Sequence, residues 1–475
     1  MKPVLPLFAL LALSPFAAAQ TSVNANTVYE LPSLAPADGK ADHETIAVNP
    51  NGDALIVWSA SVYSLSSAES AVRRVECAFL RRTSATTWDL YPTQTLGETD
   101  PLELPSGTIF PAGDICRKAD VVSVGDDFAV VWQRIENDDT NGGRLEAALI
   151  EVPATGDAVY HLESSEGIGW VLDTFDPRTA GGMVDLACAP GTTAPIAAAY
   201  VHHVGKTSLA PMENAVDFDL RAVTFDFPTP GAAPTVNTVN TLEAIPYDDF
   251  GPGNPNGGRI LPDIVFDSWG NLVVATETFA RAERVGGGST NEGKILLRRY
   301  SIDSFGVMTL LNAQELTGTD PTYAQRRPNL FRSPSNDAVS LAWGEIQLPT
   351  DTTWIFHYDA VYPDAVNDAT FVDQAPVPVP NMIDPNLPVP LQYKGVRGVV
   401  IVVNPNPGAF HAGYELNLDA KWELLSDFAG KQPWRPSLDV LENDPFRPGR
   451  GVVVFGMEGR ITAAFSRILI EMMPI

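Results

Sequence analysis

The chain has 475 residues, with 58 Asp and Glu against 31 Lys and Arg, a formal net charge of −27. That balance argues against nucleic acid and against an anionic membrane surface as partners, since affinity for either rests on Lys and Arg neutralising phosphate. It is compatible with plain solubility, with cationic ligands and with calcium.

Met1–Gln20 reads as a targeting segment. Lys2 is its charged start, Leu5–Phe16 its apolar stretch, and Ala17-Ala18-Ala19 offers small residues for cleavage, so residues 1–19 are expected to be a signal peptide. The apolar stretch is too short, and too interrupted by Pro6 and Pro15, to span a bilayer. No Cys follows the cleavage region and no later stretch is long and apolar enough to cross a membrane. The expectation is an exported protein, periplasmic or extracellular, without membrane insertion. The 40 Pro and 37 Gly form no linker, so residues 20–475 are expected to make one domain, larger than one ordinary core.

After a spare strand at Val23–Leu31 comes the unit that organises the chain. Thr45–Val48 is a strand, Asn49-Pro50-Asn51-Gly52-Asp53 a tight turn, and Ala54–Trp58 a second strand. The same figure returns at Asp120–Trp132, from Asp185 through Pro190-Gly191 to Tyr200, at Asp263–Thr276 and from Asn329 to Trp343. Looser copies lie at Gly398–Val403 and Gly451–Phe455. The units are too long for a helical solenoid and carry β-branched runs rather than helical spacing.

Each unit supplies further strands. Third strands are expected at Val72–Arg82, Arg144–Val152, Phe218–Phe227, Lys294–Ile302, Trp354–Val361, Phe410–Leu418 and Arg460–Ile470. Fourth strands are expected at Trp88–Leu96, Val236–Leu242, Val307–Leu316, Thr370–Val377 and Trp422–Phe428. The seventh unit runs out at Ile475 without a fourth strand, and the N-terminal strand has no unit of its own. Pairing the two removes an open sheet edge. The expectation is therefore an all-β, seven-bladed β-propeller closed by the N-terminal strand, with six or eight blades as alternatives.

A polar residue opens several inner strands: Asp120, Asp185, Asp263, Asn329 and Ser437. Basic residues precede most of them: Arg117 and Lys118, Arg259, Arg327 and Arg435. In a ring these positions gather around the central channel at one face. Clustered carboxylates raise one another's pKa and adjacent arginines lower it, so such a ring suits a polar ligand, a metal or catalytic acids. The competing reading is scaffold, since a repeat copies its structural positions. Any ligand is expected at this channel mouth, with Asp120, Asp185 and Asp263 central, Asn329 beside them, and Arg259 and Arg327 as cationic partners. The long connections Ser59–Ala71, Ile135–Gly143, His202–Asp217 and Phe279–Gly293 fall on the same face, and long loops on a rigid scaffold are where binding resides.

The series Trp58, Trp132, Tyr200 and Trp343 is expected to fill the space between sheets rather than to form a ligand cage. Two acidic loops, Asp138–Gly143 and Asp248–Asn254, offer oxygen ligands of the kind calcium takes, without a known calcium motif; no other cofactor is predicted. Of the three cysteines, Cys188 sits in an inner strand as an ordinary buried thiol, while Cys77 and Cys116 stand where a bridge is an option. The chain carries no Gly-x-Ser-x-Gly, His-Glu-x-x-His or phosphate-loop motif. His202-His203 are adjacent on a strand and face opposite sides.

The hairpin Asn49–Trp58, with its echo Asp267-Ser268-Trp269-Gly270-Asn271-Leu272-Val273-Val274, resembles the inner hairpins of bacterial exported β-propeller repeat proteins. The resemblance implies the fold and no one activity. The sialidase Asp-box, Ser-x-Asp-x-Gly-x-Thr-Trp, is missing. Two function classes follow. One is a binding or scaffold protein that presents one ring face to a protein or glycan. The other is a polysaccharide-active enzyme, a glycoside hydrolase or lyase, with carboxylates at the channel mouth. Nothing in the sequence calls for a second copy, so a monomer is expected.

Overall fold

The computed structural model describes residues 21–34, 41–61, 73–97, 102–103, 109–110, 115–135, 143–164, 168–174, 184–189, 195–204, 217–245, 262–281, 291–315, 323–332, 339–347, 354–360, 392–396, 399–403, 412–413, 432–441, 443–448, 450–462 and 465–474. Every element among them is a strand or a turn, and the strands pair antiparallel. The targeting segment, the loop regions 138–142 and 248–254, and the fourth strands expected at 370–377 and 422–428 lie outside the described residues.

The first sheet shows the plan. Ala41–Val48 pairs with Ala54–Ser61, which pairs with Arg73–Arg82. The turn between the first two strands is made by Asn49, whose Oδ1 accepts the Asn51 and Asp53 amides at 3.0 Å each, and by Gly52 at φ 84°. A Cβ on Gly52 would meet the Arg82 side chain at 2.6 Å, so both the left-handed backbone and the close approach require glycine. The fourth position is occupied by two pieces, Thr87–Leu90 and Gln94–Gly97, each paired to Arg73–Arg82. The strands expected at 88–96 and 236–242 are therefore broken; the second of these appears as Thr235–Val236 and Asn240–Ile245 on Asp217–Asp226.

Later sheets repeat the plan. The second is built on Ile115–Val124, Asp127–Ile135 and Arg144–Glu151. The third uses Val184–Cys188, Ile196–Val204 and Asp217–Asp226. The fourth runs Asp263–Phe266, Leu272–Arg281, Asn291–Ile302 and Met308–Glu315. The fifth has Tyr323–Arg332, Val339–Gln347 and Trp354–Ala360, and the sixth Gln392–Val396, Val399–Val403 and Ala412–Gly413. In the last, Gln432–Leu441 pairs with Val452–Thr462, which pairs with Phe465–Pro474. The third strand expected at 460–470 is thus displaced: the second strand runs on to Thr462 and the third begins at Phe465.

The spare N-terminal strand is also two pieces. Thr21–Asn24 pairs outside Thr87–Leu90 of the first sheet, and Tyr29–Glu30 pairs with Leu469 and Ile470 of the last. The break falls at Asn26, which holds φ 57°, a conformation Asn tolerates better than most residues. The Ala25 amide donates to Thr86 and the Asn26 amide to Met472, so adjacent residues bond to opposite ends of the chain. The first strands of successive sheets lie side by side in chain order, and Gln432–Leu441 of the last lies beside Ala41–Val48 of the first.

Apolar cores fill the spaces between consecutive sheets. Trp132 packs with Val57, Val75 and Cys77 of the sheet before it, Tyr200 with Val131, Leu145 and Leu172, and Trp343 with Val273, Ala275 and Leu297. Trp58 joins Leu441, Val454, Ile468 and Ile470, residues of the last sheet. All four aromatics are buried, as core side chains and not as a cage. Beside Trp58, Trp132 and Tyr200 lies an ionic network. Glu76 accepts from Trp58 Nε1 at 2.9 Å and from Arg74, Glu146 accepts from Arg134 at 2.7 Å, and Asp173 accepts from the Tyr200 hydroxyl at 2.6 Å and from Arg221. Burial pushes the Glu146 carboxyl up, against the pull of Arg134.

Candidate functional site

The leading ends of the first strands share a local irregularity. The pairing slips between Asp42 and Thr45, between Arg117 and Asp120, between Arg326 and Asn329, and between Trp434 and Ser437. In the second, fifth and last sheets the slip is a bulge that precedes a polar position singled out in the sequence, Asp120, Asn329 or Ser437; in the first it precedes Thr45. Bulges at sheet rims re-aim side chains and end pairing locally. In the first sheet the bulge is Asp42-His43-Glu44, with His43 at φ 55° and Asp42 and Glu44 buried. A non-glycine residue in the left-handed region and two buried carboxylates cost free energy that the surrounding structure must offset.

The aspartates share one kind of partner, a backbone amide of the next sheet. Asp120 Oδ2 accepts the backbone amide of Leu186 at 2.7 Å, and Asp185 Oδ2 that of Ile264 at 2.6 Å. Asp263 accepts the Leu330 amide at 2.9 Å through Oδ1 and the Asn329 side-chain amide at 2.8 Å through Oδ2. Each carboxylate thus reaches the first strand of the next sheet, one residue beyond the equivalent polar position. The chain of contacts Asp120, Asp185, Asp263, Asn329 stitches four consecutive sheets at one level. The link between last and first sheets is made by Asp439, whose Oδ2 accepts the Val48 amide at 2.7 Å. Asp439 lies two residues beyond Ser437 on the same strand face, and that alternation was the signal that would have found it in the sequence.

Arg259 lies outside the described residues, and Arg327 falls within the strand Tyr323–Arg332 at the bulge of the fifth sheet. Asp120, Asp263 and Asn329 are buried and Asp185 is half-buried. Asp42, His43 and Glu44 were not singled out in the sequence, although Lys40-Ala41-Asp42 repeats the order Lys118-Ala119-Asp120 and is the signal that could have found them.

Among the described residues no group of three or more His, Cys, Asp or Glu is placed to hold a metal ion, and no helix is long and apolar enough to cross a membrane. The option of a Cys77–Cys116 bridge is corrected: Cys77 is a free thiol, fully buried in the core between the first two sheets, and burial pushes its pKa far up. The sulfur lies in that largely apolar core with the Tyr160 hydroxyl beside it; the Cys116 side chain lies outside the described residues. Cys188 is free as well.

No family model matches the sequence. No curated protein matches it. Among solved structures, an alpha-L-arabinanase of Penicillium chrysogenum, complexed with arabinobiose, is 11% identical, with 95% of this chain and 98% of that one covered at a TM-score of 0.43. A protein of unknown function from Dyadobacter fermentans is 10% identical over 95% and 98% of the two chains, at 0.44. A Trypanosoma rangeli sialidase is 10% identical over 79% of this chain and 57% of its own, at 0.39. Likeness at this level assigns no activity.

Proposed function

We propose that this chain is an exported seven-bladed β-propeller, closed by its N-terminal segment, that binds a glycan at the channel mouth formed by the leading ends of the first strands. The cyclic order of first strands, with the last beside the first, supports the ring. The single observation that carries the site is the recurrence of the bulge at one level in four sheets. It collects Thr45, Asp120, Asn329 and Ser437 at one end of the ring, level with Asp185 and Asp263. Arg259 and Arg327 are the cationic partners in this reading. The engagement of Asp120, Asp185 and Asp263 with backbone amides favours recognition on a rigid rim over acid–base work by these groups, since each carboxylate is committed to a structural donor.

A second reading is a glycan-active enzyme. The observation that favours it is the bulge Asp42-His43-Glu44, where two buried carboxylates flank a strained backbone position; such strain clusters at active sites, and paired carboxylates are the machinery of glycoside hydrolysis. The fold does not choose between the readings. One experiment does: a glycan array on the full chain, followed by product analysis on every glycan that binds. Binding without product supports recognition. Turnover that Glu44→Gln abolishes while binding persists supports the enzyme. Absence of binding across neutral, acidic and basic glycans overturns both. Asp120→Asn combined with Asp263→Asn is expected to abolish binding with the fold retained; affinity that survives it makes the aspartate ring scaffold alone.

A further inference from the structure

The register of the four bulges aligns residues that the sequence leaves scattered. Each bulge holds two residues, and the first of the two is His43 in the first sheet, Lys118 in the second, Arg327 in the fifth and Arg435 in the last. All four are basic. With 31 Lys and Arg and 6 His in 475 residues, composition alone does not fill all four places. Bulge residues leave the ladder and re-aim side chains at a sheet rim.

These basic residues do not follow the acids. The polar position two residues further on is Thr45, Asp120, Asn329 or Ser437, acidic only in the second sheet. The third and fourth sheets pair Asp185 and Asp263 without a slip, and the residues two before these acids are Met183 and Leu261. A cation kept to neutralise the acid on its own strand would accompany Asp185 and Asp263 and be missing beside Thr45, Asn329 and Ser437. The reverse holds in every one of these sheets but the second.

The leading ends of the first strands are therefore divided by charge. The fifth, last and first sheets bring a basic residue and a neutral one, and the third and fourth bring an acid. Asp120, Asp185 and Asp263 each accept a backbone amide of the next sheet, which directs these carboxylates between sheets. His43 carries charge only when protonated, with Asp42 Oδ2 at 3.9 Å from its Nε2, so Lys118, Arg327 and Arg435 are the permanent cations. The net charge of −27 counts against a long polyanion laid over the whole surface. It counts little against one acid group seated among local cations, since exposed charges are screened beyond about 8 Å at physiological ionic strength. We propose that the ligand of the channel mouth is an acidic glycan, whose carboxylate or sulfate is taken up by Arg327 and Arg435, with Lys118 beside them. This rests on the channel-mouth reading and adds the ligand's class and its orientation, acid group toward the first and last sheets and hydroxyls toward the aspartates. Guanidinium forks match a planar carboxylate or two sulfate oxygens in bidentate fashion.

Matched glycans that differ only in charge test this on the full chain: trigalacturonate against its methyl ester, and a sulfated galactan fragment against the desulfated fragment. The charged member of at least one pair should bind at least tenfold more tightly, and which pair responds tells carboxylate from sulfate. That advantage should shrink as salt is raised, while binding of the uncharged members stays level. Arg327→Gln combined with Arg435→Gln should remove the advantage with an unchanged Tm, and Lys118→Gln alone should reduce it, which guards against a double variant that fails to fold. Equal binding of charged and uncharged members overturns the proposal and leaves the channel-mouth reading standing. A charge advantage that none of these variants moves overturns it too, because the acid group is then read elsewhere. Absence of binding to these glycans and across the glycan array removes the channel-mouth reading and this proposal together.

Discussion

Trp132 shows what one residue contributes to this architecture. Its ring lies in the space between the first two sheets with Val57, Val75, Cys77, Phe128 and Ala148, and Gly169 sits so close that a Cβ there would meet the ring at 2.6 Å. Truncation leaves a cavity that two paired sheets cannot easily collapse. Trp132→Ala is therefore expected to cost about 3–5 kcal/mol in urea unfolding. A loss below about 1 kcal/mol would mean that the ring is not part of the inter-sheet core. The burial of this residue was legible in sequence, because a large aromatic recurring at the end of each second strand suits a repeated gap. Its polar surroundings were not. Glu146, opposite Trp132 on the neighbouring strand, accepts from Arg134 and from the Gly169 amide, and only the folded chain joins them.

The N-terminal segment is the element on which both ends of the chain depend. Thr21–Asn24 extends the first sheet and Tyr29–Glu30 the last, while Val23 and Leu31 are buried in the core that those two sheets share. The Leu31 amide donates to Ile468. Deleting residues 21–32 leaves two strand edges unpaired and removes two core side chains. The expected outcome is a markedly lower Tm and a tendency to aggregate; an unchanged Tm would show that the segment does not hold the two sheets together. One missing strand and one spare strand were visible in the sequence. The division of the spare strand between two sheets was not, since it turns on the backbone of Asn26, where local sequence states a tolerance and tertiary pairing decides.

At the scale of the molecule, the first and last sheets are joined by a buried ion pair as well as by backbone. Arg82 Nη2 donates to Asp444 Oδ2 at 2.7 Å with both side chains out of solvent. The guanidinium lies about 5.0 Å from the ring centres of both Trp88 and Phe446. Burial pushes the Asp444 carboxyl up, but bonds from Arg82, Arg447 and the Phe446 amide outweigh it and hold the group below its ordinary value. A depressed carboxyl stabilises the fold above its unfolded pKa of about 3.9, and that stability is lost as pH falls through the lower native value. Asp444→Asn should thus cost about 3–5 kcal/mol at pH 7, because a buried guanidinium loses its counter-charge. The gap between the two proteins should close as pH is lowered past about 4. Asp53, Asp127 and Asp157 are pushed up by burial and titrate in the opposite sense, but they are common to both proteins and cancel in the difference. A gap that is constant from pH 7 to strongly acid solution would show that charge on Asp444 is not what the pair contributes.

Local pattern fixed the strands, the turns and the aromatic layer, because each depends on neighbours within a few residues: alternating β-branched side chains, an Asn or Asp that accepts the amides following it, a glycine at positive φ. It also marked Asp120, Asp185, Asp263 and Asn329 as one repeated position. What that position does was decided by tertiary structure. Leu186, Ile264 and Leu330 supply the amides that these groups accept, and each lies in the next sheet, more than sixty residues along the chain. The Arg82–Asp444 pair is of the same kind: its partners stand 362 residues apart, and no local propensity carries that information.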